Sequence, residues 1–188
     1  MKKCRQLLVG GVLAASLQAS AVCAADVGAK LQICGSCHGE NGVPDDPTVP
    51  ILWGQQKAYL EKQLRDYRGG ARDSQIMSSM AESLTTADVP DVATFLANRK
   101  WPDARRGVPQ PPPDAVAACQ SCHHPNFLGG AAGDETAPRL AGQNREYLAA
   151  EMRSFATGGR ANHAAMAALM KGLSDGERDA MARYLSGL

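Results

Sequence analysis

The sequence predicts an all-α protein built as two similar halves. Three observations carry that expectation. No segment alternates apolar and polar residues as a half-buried strand would. Apolar residues recur instead at helical spacing. A series of short elements from the first half of the chain also returns in the second at a nearly constant offset.

Each half reads as three helices. A short one, about 27–35 and 114–121, leads into a cysteine pair. The second, about 56–68 and 144–156, places Tyr59, Leu60, Leu64 and Tyr67, or Tyr147, Leu148, Met152 and Phe155, on one face. The third opens at a capping box, weak in Thr85-x-x-Asp88 and well formed in Ser174-x-x-Glu177. Pro90 falls early in its helix, where a missing N–H costs least.

The repeat fixes the domain plan. Thr48-x-Pro50-x-Leu52-x-Gly54-Gln55 answers Thr136-x-Pro138-x-Leu140-x-Gly142-Gln143 at an offset of 88. Gly69-Gly70 answers Gly158-Gly159, and Leu84-Thr85 answers Leu173-Ser174, at 89. The cysteine pairs are 85 apart, so the drift places three extra residues after His123 and one more before Gly158. The expected units are residues 26–100 and 114–188, joined by a Pro-rich linker at 101–113 that favours an extended, semi-rigid connection. Residues 1–25 read as a secretory signal: Lys2, Lys3 and Arg5, then an apolar run, then Ala-Val-Cys-Ala-Ala. A retained anchor is the alternative, although the run is short for a membrane span.

The chemistry lies in Cys34-Gly-Ser-Cys37-His38 and Cys119-Gln-Ser-Cys122-His123. In a Cys-x-x-Cys-His motif two thiols bond covalently to the two vinyl groups of one haem. The adjacent histidine is carried under the iron as an axial ligand. A zinc site, a thioredoxin-like pair and plain disulfides are competing readings of Cys-x-x-Cys. None of these explains a histidine after both pairs. The expected cofactors are two covalently bound haem c groups. Each half, about 75 residues long, is marginal as a protein core alone, and a buried haem would supply the missing apolar mass.

The second axial ligand separates an electron carrier from a catalyst, because a thioether closes the iron to substrate and raises its potential. At offset 89, Met77 falls on Met166, each seven residues before the leucine that precedes the third helix. These two are the expected ligands. Met80 is the alternative in the first half and His163 in the second; Met152, Met170 and Met181 suit packing. His124 reads as a surface residue. Pro50 and Pro138 occupy matched positions that either stiffen the loop or mark where one of its carbonyls would accept the ligand histidine's other N–H. Gln55, Gln143, Tyr59, Tyr147, Arg65 and Arg153 form matched pairs that serve either haem propionates or the helix surface.

Charge narrows the partners. Without residues 1–25 the chain has 17 basic and 19 acidic side chains, net −2. That leaves no basic footprint for nucleic acid and no strong single-sign field to steer docking.

Taken together, the attachment motifs, the Pro-x-Leu-x-Gly-Gln elements, the paired glycines, Met77 and Met166 resemble a dihaem class I cytochrome c of the cytochrome c4 type. The resemblance implies two tandem cytochrome c-type domains related by pseudo-twofold symmetry, with His/Met-ligated haems close together. It implies a periplasmic electron carrier rather than an enzyme, shuttling electrons between respiratory components and toward a terminal oxidase. Expected partners are redox proteins: a membrane oxidase, a quinol-oxidising complex or a dehydrogenase, with any membrane association running through them. One alternative is the cytochrome subunit of a periplasmic dehydrogenase complex, such as a flavocytochrome sulfide dehydrogenase. Another is a haem enzyme, a peroxidase or a thiosulfate-oxidising enzyme, which would need an open or unusually ligated iron.

Overall fold

A computed structural model of the chain describes residues 28–103, 108–130 and 134–188. The expected signal at 1–25 lies outside the described residues. The described residues contain helices and loops with no β-strand. In the first half α1 covers 28–38, α2 Lys57–Arg68, α3 Gln75–Glu82 and α4 Asp88–Ala97. In the second, α5 is Val116–His123, α6 Arg145–Thr157, α7 Ala164–Gly172 and α8 Asp175–Ser186.

Each half therefore has four helices where the sequence suggests three. The additional ones, α3 and α7, are 8 and 9 residues long. An isolated helix of that length is unstable in water and leaves little periodic signature. Both are started by a side-chain cap: Ser74 Oγ accepts the N–H of Met77, and His163 Nδ1 that of Met166, each at 3.3 Å. Packing supplies the rest, since α2 lies against α3 and α4, and α6 against α7 and α8.

The cores follow the expected helix faces. Leu60, Leu84, Val92, Ala93 and Leu96 form one; Leu148, Met152, Phe155, Met170, Met181 and Leu185 form the other. Burying one such side chain contributes about 1.5–3 kcal/mol. The capping box of α8 is complete: Ser174 Oγ accepts from Glu177 N, and Glu177 Oε2 accepts from Ser174 N at 2.7 Å. The first-half version is stronger than its sequence suggests. Asp88 Oδ2 accepts from Thr85 N at 2.6 Å and from Lys30 Nζ at 2.8 Å, tying α4 to α1.

The backbone corrects one register assignment. Gly70 and Gly158 share the left-handed conformation, with φ of 73° and 83°. Two residues after each, Arg72 N bonds Asp66 O and Arg160 N bonds Ser154 O. The offset of 88 thus persists through Arg160, and the extra residue falls after it, not before Gly158. Two adjacent glycines are interchangeable in the sequence pattern; their φ angles separate them.

The halves meet around a pseudo-twofold axis. Gln143 Nε2 donates to Ile51 O at 3.0 Å while its Oε1 accepts from Ile51 N at 2.9 Å. Gln55 treats Arg139 identically, donating to its carbonyl at 3.0 Å and accepting from its N–H at 2.7 Å. Trp101 lies against Gly54 of the first unit through its backbone N and against the second through its ring. The Arg139 guanidinium stacks 4.3 Å from its ring centroid, and a methyl group on Gly142 would approach its Nε1 to 3.1 Å.

Candidate haem-binding sites

The two histidines expected as ligands, His38 and His123, are the last residues of α1 and α5. His38 Nδ1 donates to Pro50 O at 2.8 Å, and His123 Nδ1 to Pro138 O at 3.0 Å. A carbonyl can only accept, so the proton is on Nδ1 in both and the Nε2 lone pair is left for a metal. Burial lowers the pKa of both imidazoles, opposed for each by the proline carbonyl. The neutral form favoured in this way is the one that binds iron.

One helical turn before each histidine stands the first cysteine of its motif. Cys34 is half-buried and Cys119 buried, and burial raises the pKa of both thiols. Cys37 and Cys122 are exposed, and the four thiols are unbridged. Among the described residues, no cluster of three or more His, Cys, Asp or Glu side chains is placed to hold a bare metal ion. A zinc site joining the two motifs would need such a cluster.

A continuous cavity of about 520 Å³ joins the two halves, and His38, Met77, His123 and Met166 all line it. The short helices α3 and α7 bring the two methionines there, half-buried near their N-termini. Met80 is 40 % exposed, whereas Met152, Met170 and Met181 belong to the second core. His163 uses Nδ1 to cap α7, and its Nε2 lies 3.7 Å from Asp134 Oδ2. His124 is exposed and bonds Asn126. Each half thus offers two thiols, an imidazole of fixed tautomer and a thioether on a largely apolar wall, a donor set that fits haem c.

Sequence reasoning assigned some matched residues less well. Gln55 and Gln143 are clamps between the halves, not propionate or surface residues. Arg65 and Arg153 are exposed, and Arg65 pairs with Glu61 at 3.0 Å. The buried arginines are Arg72 and Arg160, 6 % and 7 % exposed. Arg72 Nη2 lies 3.3 Å from the Tyr147 hydroxyl, and Arg160 Nη2 3.4 Å from that of Tyr59. Their common offset of 88 was the available signal, concealed by the glycine misalignment.

Comparison with known proteins agrees with this geometry. The family model described as cytochrome c matches residues 26–100, and that for cytochrome c oxidase, cbb3-type, subunit III matches 114–185. Cytochrome c4 of Pseudomonas aeruginosa is 31% identical over 205 residues, covering 97% of this chain and 98% of its own. The chain belongs to the cytochrome c4 family. The crystal structure of reduced cytochrome c4 from Pseudomonas stutzeri superposes with a TM-score of 0.74 at 28% identity, over 87% of this chain and 97% of that one. A thiosulfate dehydrogenase electron acceptor of Stutzerimonas stutzeri is 30% identical, covering 82% of this chain and 78% of its own. As a cytochrome c4-type protein, the chain consists of two cytochrome c folds, carries two covalently bound haem c groups and transfers electrons.

Proposed function

We propose that this protein is a periplasmic shuttle that moves electrons between respiratory components, toward a terminal oxidase. In this reading Cys34, Cys37, Cys119 and Cys122 hold the haems, with His38 and Met77 on one iron and His123 and Met166 on the other. The observation that carries it is the placement of both histidines and both methionines on one cavity shared by the halves. When bound, haem supplies one-electron chemistry at iron. The chain's residues fix the histidine tautomer through Pro50 and Pro138 and hold the two sites together through Gln55 and Gln143, and Met77 and Met166 would each offer a thioether to an iron. No helix among the described residues is long and apolar enough to cross a membrane. Residues 1–25 are expected to direct export and be removed, which N-terminal sequencing of the purified protein would check.

Spectroelectrochemical titration of the holoprotein tests the site assignment. Two one-electron waves with iron–thioether absorption are expected, and Met77→Ala and Met166→Ala should each abolish that band from one haem. Retention of both bands in either variant would overturn that ligand. Rapid carbon monoxide binding by the native reduced protein would favour a haem enzyme instead.

A second reading has a specific observation behind it. Relatives of similar length are named thiosulfate dehydrogenase electron acceptors. This chain would then take electrons from a periplasmic dehydrogenase acting on a reduced sulfur compound. Stable co-purification with such an enzyme, and reduction by it faster than by a quinol-oxidising complex, would establish this role over the oxidase route.

A further inference from the structure

Between α2 and α6 lies a ring of side chains that is duplicated except at one of its matched positions. Tyr59 matches Tyr147 and Arg72 matches Arg160, but Gln63 faces Glu151 across the same pseudo-twofold relation. Arg72 Nη1 donates to Gln63 Oε1 at 2.8 Å and its Nη2 to Glu151 Oε1 at 2.6 Å. Arg160 Nη1 donates to Glu151 Oε2 at 2.6 Å and its Nη2 to Gln63 Oε1 at 2.9 Å. Each arginine therefore reaches both positions, and each Glu151 oxygen holds an arginine from a different half. Asn162 completes the ring by donating to Gln63 Oε1 at 3.1 Å.

The ring carries two guanidinium charges and one carboxylate. Lys62 and Asp66, beside it, pair with each other. All seven ring side chains line the cavity that holds the proposed iron ligands. A charge on the wall of a largely apolar cavity acts over a longer range than one in water. Positive charge there favours the reduced iron and negative charge the oxidised iron. A ring with glutamine at both positions would present twice the net positive charge of this one.

We propose that Glu151 is a positioning residue for electron transfer: by holding both buried arginines from one side of the pseudo-twofold axis, its carboxylate lowers the potentials of both haems and makes them unequal. The proposal rests on the haem-site reading above. It assigns the difference between the halves to the one charged mismatch among the paired ring positions, not to the proposed axial ligands, which are of the same kind in both.

Titration of three holoproteins tests it. Glu151→Gln should shift both midpoints upward, one more than the other. The exchange variant Gln63→Glu/Glu151→Gln keeps the net charge and the ring of acceptors. It should return the mean of the two midpoints toward wild type while changing the gap between them. Unmoved midpoints in a Glu151→Gln protein with native circular dichroism would overturn the proposal, as would an exchange variant whose gap equals that of wild type. If the single variant does not fold, the exchange variant alone decides. A wild-type protein without two haem waves would overturn the site reading itself; two waves indifferent to both substitutions overturn only the role of Glu151.

Discussion

Gln55 and Gln143 perform the same act in opposite directions: each side-chain amide pairs with a backbone N–H and carbonyl of the other half, at Arg139 and Ile51. Ile51 is fully buried, so its peptide groups have no water to fall back on. Gln143→Ala is expected to cost about 1–3 kcal/mol through those unsatisfied groups. Chemical denaturation measures the cost, and calorimetry should show an unfolding transition broader than that of the native protein, or split, as the halves uncouple. Gln143→Glu keeps an acceptor for Ile51 N but sets a buried carboxylate oxygen against the Ile51 carbonyl, so it should cost at least as much as alanine.

The carbonyl that orients His123 depends on a glycine. Gly129 has φ of 78°, and a methyl group there would come within 2.5 Å of Pro138 C and 2.6 Å of Arg139 N. Backbone cannot yield as a flexible side chain does. Gly129→Ala should therefore displace the Pro138 carbonyl from His123, besides the roughly 1–2 kcal/mol cost of left-handed backbone for a residue with a Cβ. The expected result is a lowered melting temperature together with an altered midpoint for one haem only.

Acid should loosen the junction of α1 with α4. Hydrogen bonds from Lys30 and Thr85 hold the Asp88 carboxyl at about 2, below its ordinary 3.8. A depressed carboxyl contributes stability that is fully present above the unfolded value and lost as pH falls through the folded one. The loss should therefore run from about pH 4 down to about pH 2. Asp88→Asn should remove this component and cost about 1 kcal/mol near neutrality, through the weakened cap and ion pair. Denaturation midpoints of both proteins across that pH range check it.

Haem-free protein should fold poorly. The walls of the cavity of about 520 Å³ include Leu60, Leu148, Met152 and Phe155, which also belong to the two protein cores. Without haem against them, each small half loses apolar contacts it has no surplus to replace. Circular dichroism of chain expressed without haem attachment should show a large loss of helical signal relative to holoprotein.

Much of the site could be read from local chemistry. The spacing of Cys34, Cys37 and His38, and of Cys119, Cys122 and His123, is what points to covalent haem. A covalent attachment must be made within one turn of chain, so its requirements are contiguous in sequence. Amphipathic helices such as α2 and α6, and the capping box of α8, are legible for a similar reason: their determinants lie within a few residues of one another.

What escaped was decided by the meeting of the halves. Nothing adjacent to Gln55 or Gln143 indicates that each serves a peptide unit 84 or 92 residues away. Arg72 and Arg160 look like surface residues in a Gly-rich turn until α2 and α6 face each other and bury them. The short helices α3 and α7 exist because packing and a cap compensate for their length. From local order alone come the attachment motifs, the helical character and the repeat. The pairing of two similar surfaces about an axis sets the clamps, the buried arginines and the place of Glu151, because those contacts join residues that only folding brings within hydrogen-bond range.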